Sequence, residues 1–280
     1  MGRIGSAAGN KERRKRGRAG STDGPLEYQS MSIRIVLAGI SHPGNIGSAA
    51  RAMKNMGLER LCLVAPDRFP AMEATVMAAG ADDVLERAQV FADVPSAVAD
   101  CGLVVGTTAR SRHLPWRTVE PREAAREIAA AAATGEVAVL FGAERTGLTN
   151  EDLERCQLLL TIPTGTAYPS LNVAMAVQVV TYEILLARRS APDPAAASAV
   201  PLASARDMER FYAHLEEVLE DIEFRDRTGE GHLMARLRRF FNRAVPDQNE
   251  INILRGILTS VQGRRRRAGD PHPQSGADRT

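Results

Sequence analysis

The chain has 280 residues, of which 44% are apolar and 25% charged, with a formal net charge of +2; these values fit a folded globular protein and exclude a disordered one. Aromatic residues make up only 4%, so rows of stacked rings are not its main binding device. The charge is unevenly spread: residues 1–30 hold seven Lys/Arg against three acids and 263–280 five Arg against two, which leaves residues 31–262 at about −5.

Residues 1–30, rich in Gly, Ser and Arg without periodicity, read as a disordered basic tail, with an RNA-attracting arm as the functional alternative and Met31 as a possible start of the chain. From Ile33 onward short β-branched runs alternate with helical patterns, the signature of an α/β protein with a parallel sheet covered by helices. Strands are expected at Ile33–Ala38, Leu61–Ala65, Leu103–Thr107, Val137–Phe141 and Leu158–Ile162. Helices are expected at Asn45–Met56, Val94–Asp100, Pro121–Ala133, Asn150–Cys156 and Leu171–Arg188. Pro121 suits a first helical turn, and Thr149 suits a helix cap followed by Glu151 and Asp152 at the positive end. Thus residues 31–189 form a main domain. Residues 190–203, with Pro and small residues, form a linker. Residues 204–262 read as a helical extension of three helices, Ala205–Phe224, Gly231–Arg243 and Asp247–Val261. In the first of these, Phe211, Leu215, Val218 and Ile222 make one apolar stripe. The arginines 236, 238, 239 and 243 of the extension serve either packing or RNA docking. Residues 263–280 read as a second disordered basic tail.

Cys62, Cys101 and Cys156 are far apart, form no C-x-x-C pair and have no His at metal-ligand spacing, so they read as buried or incidental thiols. No apolar signal core is visible at the N-terminus. The most apolar stretch, Leu171 to Leu186, contains Asn172, Gln178, Thr181 and Glu183 and falls short of the roughly 20 residues a membrane span needs. A cytoplasmic protein is expected, with no membrane and no metal.

Three segments combine a strand end, a glycine-containing loop and a helix start. In Ser41-His42-Pro43-Gly44-Asn45-Ile46-Gly47-Ser48, Gly44 and Gly47 would let backbone amides approach a phosphate, with Arg51 one turn above Gly47 on the same face. The plain alternative is a tight turn with a surface arginine. In Leu140-Phe141-Gly142-Ala143-Glu144-Arg145-Thr146-Gly147-Leu148, Gly142 would leave room for a ligand at the carboxyl edge of the sheet, and Glu144 would hold an arginine or a substrate group. In Ile162-Pro163-Thr164-Gly165-Thr166-Ala167-Tyr168-Pro169-Ser170-Leu171-Asn172, the loop offers N–H and C=O groups to a flat polar ligand such as adenine. Ser170 and Asn172 also suit helix capping. No G-x-G-x-x-G is present, which disfavours a dinucleotide site.

Taken together and in this order, the three segments resemble the motifs of the SpoU/TrmH branch of the SPOUT RNA methyltransferases. Thr107-Thr108-Ala109-Arg110-Ser111-Arg112, His113-Leu114-Pro115-Trp116 and Leu254-Arg255-Gly256-Ile257-Leu258 are similar to the TrmJ-type tRNA methyltransferases in particular. The likeness spans Ile33 to about Gln262, with Ala143 standing where such sequences often carry Arg. It implies a trefoil knot made by the loops after Val105, Phe141 and Ile162, an exception to the rule against threaded chains. It also implies S-adenosylmethionine bound by Thr107, Thr108, Ala109, Gly142, Ile162, Ser170 and Leu171, with catalytic positions at Asn45, Arg51, Glu144, Ser170 and Asn172. The family is dimeric with residues of both subunits at each site, and the helix Leu171–Leu186 would be the contact. The implied reaction is 2'-O-ribose methylation of tRNA, at cytidine or uridine 32 of the anticodon loop, with rRNA, another tRNA position or a non-catalytic RNA-binding role as alternatives.

Overall fold

The computed structural model describes residues 32–109, 116–167, 169–190, 200–224 and 232–269, with side chains as far as residue 263. Residues 110–115 and Tyr168 of the motifs above, the tail before residue 32 and the bulk of the linker lie outside the described residues. Among the described residues, seven strands form one parallel sheet: β1 (Ile33–Ala38), β2 (Arg60–Val64), β3 (Gln89–Phe91), β4 (Cys101–Thr107), β5 (Thr118–Val119), β6 (Glu136–Phe141) and β7 (Leu158–Leu160). Their spatial order is β3-β2-β1-β6-β4-β7-β5, so β6 enters between β1 and β4 long after both have been laid down. Around them run α1 (Pro43–Asn55), α2 (Met72–Ala78), α3 (Asp82–Glu86), α4 (Val94–Val98), α5 (Pro121–Ala132), α6 (Asn150–Glu154) and α7 (Val173–Ser190). The extension is α8 (Ala205–Asp221), α9 (Leu233–Ala244) and α10 (Gln248–Gly269).

The central strands read as unbroken apolar runs because both faces of the sheet are covered. Ile35 and Leu37 of β1, Val139 and Phe141 of β6 and Val105 of β4 point to one face, where they pack with α1, α2, α3, α5 and α7. Val36, Ala138, Leu140 and Val104 point to the other, which α4 and α6 cover. That second face is lined with small residues. A side chain at Gly106 would meet the Cys156 sulfur at 2.7 Å, and one at Gly102 would meet Leu202 at 2.9 Å, so both glycines are needed for close cover. Arg34 is the buried polar exception on β1. Its guanidinium donates to Asp100 at 2.9 and 2.7 Å, to Glu136 at 2.7 Å and to the Ala97 carbonyl at 3.0 Å, and Arg60 shares Glu136. Pairing on this scale is what permits a charge under the sheet edge.

Several elements depart from their expected bounds. β3 and β5 are short edge strands, and α2 and α3 are brief helices; none carries enough periodicity to stand out in sequence. β7 stops at Leu160 and α7 starts at Val173, so both are shorter than the expected Leu158–Ile162 and Leu171–Arg188 at the ends that face each other. Thr149 does cap α6, in a reciprocal box with Asp152, and Pro121 does open α5. Ile222 lies past the end of α8 and is 45% exposed; Met208 and Tyr212 complete the stripe begun by Phe211 and Val218. The last helix continues through Gly269, into the stretch expected to be a tail.

The extension docks on the main domain through specific bonds. The Asn242 amide donates to the Glu154 carbonyl at 2.8 Å and its oxygen accepts from the Tyr212 hydroxyl at 2.8 Å, while the Arg206 amide donates to the Ala99 carbonyl. All three cysteines are buried and free. Among the described residues no helix is long and apolar enough to cross a membrane.

Gly47 turns out to be a packing residue. A Cβ there would lie 2.0 Å from the Ala74 carbonyl oxygen, because α1 and α2 cross at this point. The expected role in bringing an amide to a phosphate is therefore replaced by helix contact. Gly47→Ala should destabilise the fold by about 1–3 kcal/mol through overpacking, read as a lower denaturant midpoint at unchanged slope; an unchanged midpoint would show that α2 moves aside freely.

Candidate active site

The carboxyl ends of β4, β6 and β7 are neighbours in the sheet, so the chain segments that leave them converge. Between them is a cavity of about 280 Å³. Thr107, Thr108, Ala109, Gly142, Ile162, Ser170 and Leu171 all line it, as do Glu144, Arg145 and Thr146 at the rim. Phe141, Leu160, Pro169, Val173 and Ala176 also form its walls and were not singled out from sequence. They read there as ordinary strand-end and helix residues, and only the placement of β7 beside β4 turns them toward a ligand.

The loops are held by their own backbone and hydroxyl bonds. Thr107 Oγ1 donates to the Leu140 carbonyl at 2.8 Å, and the Thr108 amide donates to the Leu160 carbonyl at 2.9 Å, which ties the end of β4 to both neighbours. The loop after β6 closes as a tight turn, with the Gly147 amide donating to the Ala143 carbonyl at 2.8 Å and Gly147 at a φ of +71°. This turn explains Gly142. A Cβ there would lie 2.1 Å from the backbone of Gly147 and Leu148, so the glycine makes room for the loop's own turn while it borders the cavity. Thr164 Oγ1 donates to the Pro169 carbonyl at 3.0 Å and closes the loop after β7.

Beside the cavity, a polar bridge joins three distant segments. One Glu144 carboxylate oxygen accepts from the Ser41 amide and hydroxyl, each at 3.2 Å; the other accepts from the His42 amide at 3.3 Å and from Asn45 Nδ2 at 2.7 Å. Asn45 Oδ1 in turn accepts from Asn172 Nδ2 at 2.9 Å, and Asn172 Oδ1 accepts from the Ala174 amide at 2.9 Å. The orientation of both carboxamides follows, since a carboxylate accepts and a backbone amide donates. Asn172 thus acts as the helix cap of α7 and as a site residue at once, which reconciles its two readings. Four donors already occupy Glu144, so the expected partner for its carboxylate, an arginine or a substrate group, is replaced by the start of α1.

Partial burial alone would push the Glu144 carboxyl up, but the bonds from Asn45 and the backbone amides outweigh it and hold the group below the usual carboxylate range. A lowered folded value means that its contribution to stability is present above the ordinary carboxylate pKa, about 4.3, and is lost as pH falls through the folded value. Thermal unfolding followed from neutral pH downward should show Glu144→Gln to be less stable than the parent at neutral pH, with the gap closing in acid. A gap that is constant across pH would mean the charge on Glu144 is not what holds the bridge.

Ser170 is exposed at the cavity wall. Arg51, by contrast, is on the exposed side of α1, does not line the cavity, and makes no hydrogen bond or ion pair among the described residues. Of the arginines of the extension, Arg238 is a packing residue: it pairs with Glu209 at 2.7 and 2.9 Å and lies 4.4 Å over the Tyr212 ring. Among the described residues no cluster of His, Cys, Asp and Glu has the arrangement of a metal site.

The sequence matches the SpoU rRNA Methylase family over residues 32–182 and the C-terminal domain of the tRNA methyltransferase TrmJ over residues 206–271. It is 48% identical over 252 residues to the tRNA (cytidine/uridine-2'-O-)-methyltransferase TrmJ of Sodalis glossinidius, covering 89% of this chain and 98% of that protein. It is 47% identical over 240 residues to the tRNA (cytidine/uridine/adenosine-2'-O-)-methyltransferase TrmJ of Pseudomonas aeruginosa, covering 82% of this chain and 93% of that one. Among solved structures, TrmJ from Z. mobilis superimposes with a TM-score of 0.71 at 35% identity, over 82% of this chain and 98% of that chain.

Proposed function

The chain belongs to the SpoU methylase family, with the C-terminal domain of the TrmJ type, and from that membership we propose that it methylates a ribose 2'-oxygen of tRNA using S-adenosylmethionine. The observation that carries the reading is the cavity at the ends of β4, β6 and β7, which gathers every residue expected to hold the methyl donor. Its apolar walls at Leu160, Ile162, Leu171 and Val173 suit the faces of an adenine ring, and its polar rim at Arg145 and Thr146 suits a charged amino-acid tail. When bound, the donor supplies an electrophilic methyl group on a sulfonium. Convergence of the three loops on one cavity supports the trefoil knot of the family. The extension and the names of the relatives favour tRNA over rRNA, and nucleotide 32 of the anticodon loop is the position we assign. The setting is the cytoplasm, and no metal takes part.

Each residue has a distinct task. Thr107, Thr108, Ala109, Gly142, Ile162, Ser170 and Leu171 hold the donor. Glu144, Asn45 and Asn172 fix the start of α1 and the start of α7 relative to the cavity. In the transfer a bond forms between the ribose oxygen and the methyl carbon, the sulfur–methyl bond breaks, and the hydroxyl proton departs to solvent. Arg51 is assigned no part in removing that proton; its guanidinium clamps the neighbouring phosphate and stabilises negative charge growing on the oxygen.

Arg51 is outside the cavity of its own chain, and α7 turns Met175, Val179 and Tyr182 to the side opposite its contacts with α1 and α5. Both observations support a homodimer packed through α7, in which Arg51 of each copy serves the site of the other.

The test is to incubate the full chain with S-adenosylmethionine and tRNA transcripts and to map ribose methylation along the product. A single mark in the anticodon loop at nucleotide 32 is expected; methylation of rRNA but not tRNA would overturn the reading. Arg51→Ala should slow single-turnover transfer by about a hundredfold or more while calorimetry finds donor affinity unchanged. Arg51→Lys should recover little of that rate, because an ammonium lacks the planar two-pronged contact with phosphate.

A further inference from the structure

Helix α9 has a charge pattern unlike the rest of the molecule. Its twelve residues include four arginines and no acid, on a body that is otherwise net negative. The arginines divide by face. Arg238 and Asn242 turn inward, where Glu209, Tyr212 and the Glu154 carbonyl bind them, so this side of the helix is locked to the main domain and to α8. Positions 236, 240 and 243 fall on the opposite face at four- and three-residue steps, and all three are exposed.

At the centre of that outer stripe stands Phe240, 55% exposed. Its ring is not loose. It meets Phe241 edge to face at 5.1 Å and 82°, and Phe241 meets the buried Phe211 in the same manner at 4.8 Å and 83°. A ladder of three rings thus runs from the core of the extension to its surface and holds the last ring in a set orientation. The Arg243 guanidinium stands over the Phe240 ring, 6.0 Å from its centroid. A fixed aromatic face between cations is the arrangement that takes up an unstacked base while its flanking phosphates are neutralised.

We infer that Phe240 is a stacking platform for an unpaired base of the bound tRNA, with Arg236 and Arg243 holding the phosphates on either side. The inference rests on tRNA being the substrate. It adds a contact on the extension, apart from the methyl-transfer cavity, that fixes how the RNA lies across the protein. An acidic protein partner would need the cations but not the ring, and this difference is what the experiment measures.

The full chain is titrated with a tRNA transcript at moderate salt, and the dissociation constant is read by filter binding. Phe240→Ala should raise it about tenfold, Phe240→Leu nearly as much, and Phe240→Trp should restore it, because the base needs a π face and not only apolar bulk. Arg243→Gln should lower the slope of log affinity against log salt by about one. Donor affinity and single-turnover rate at saturating tRNA should stay as in the parent. A leucine as good as phenylalanine, or an alanine variant with parental affinity, would overturn the inference while leaving the methyltransferase reading intact. A parent protein that methylates no tRNA in the same assay would overturn both.

Discussion

The site depends on one carboxylate and the direction of its hydrogen bonds. Glu144 leaves the end of β6 and takes donors from Ser41, His42 and Asn45, and Asn45 passes the connection to Asn172 at the start of α7. Three segments, the first of them about a hundred residues or more from the other two, are thereby joined through groups with a single compatible orientation. Such a bridge is cooperative, since each amide has its free end defined by the previous one. Glu144 and Asn45 bond to each other, to the side chains of Ser41 and Asn172 and to the backbone amides of Ser41 and His42, which sets their positions beside the cavity.

The parallel sheet supplies the setting for this bridge. Because strands β4, β6 and β7 run the same way, their loops open on one edge, and a ligand pocket there is a consequence of topology before it is one of sequence. The small residues on the second face have a separate effect. Gly102 lets Leu202 of the incoming chain approach the sheet, and α6, which begins just beyond the loop carrying Glu144, contacts the extension through the Glu154 carbonyl. The extension is therefore coupled to the loop that borders the cavity by a short, continuous path of packed backbone.

Much of this was legible from residues alone. The five interior strands were marked by apolar runs, and α5 and α6 by Pro121 and the Thr149 cap, because those signals are local. The three glycine-containing loops were also found, and the structure brings all of their expected donor-binding residues to one cavity. What local signals could not carry was direction. A glycine says that something comes near, without saying what: at Gly47 it is the α2 backbone and at Gly142 it is the loop's own turn. Arg236, Arg238, Arg239 and Arg243 are alike in sequence, and only the helix face separates the inward Arg238 from the outward positions. The edge strands β3 and β5 are too short to show any period, so they emerged only through pairing.

The cysteines have a practical side. Burial raises all three thiols, Cys101 to about 12 and Cys62 and Cys156 also upward, so little thiolate exists at neutral pH and none of it is at the surface. Maleimide chemistry on the native fold would therefore find almost nothing to react with. A cysteine introduced at an exposed place can carry a dye or spin label without first removing the natural ones, and each of those, packed under the sheet, can be left as it is.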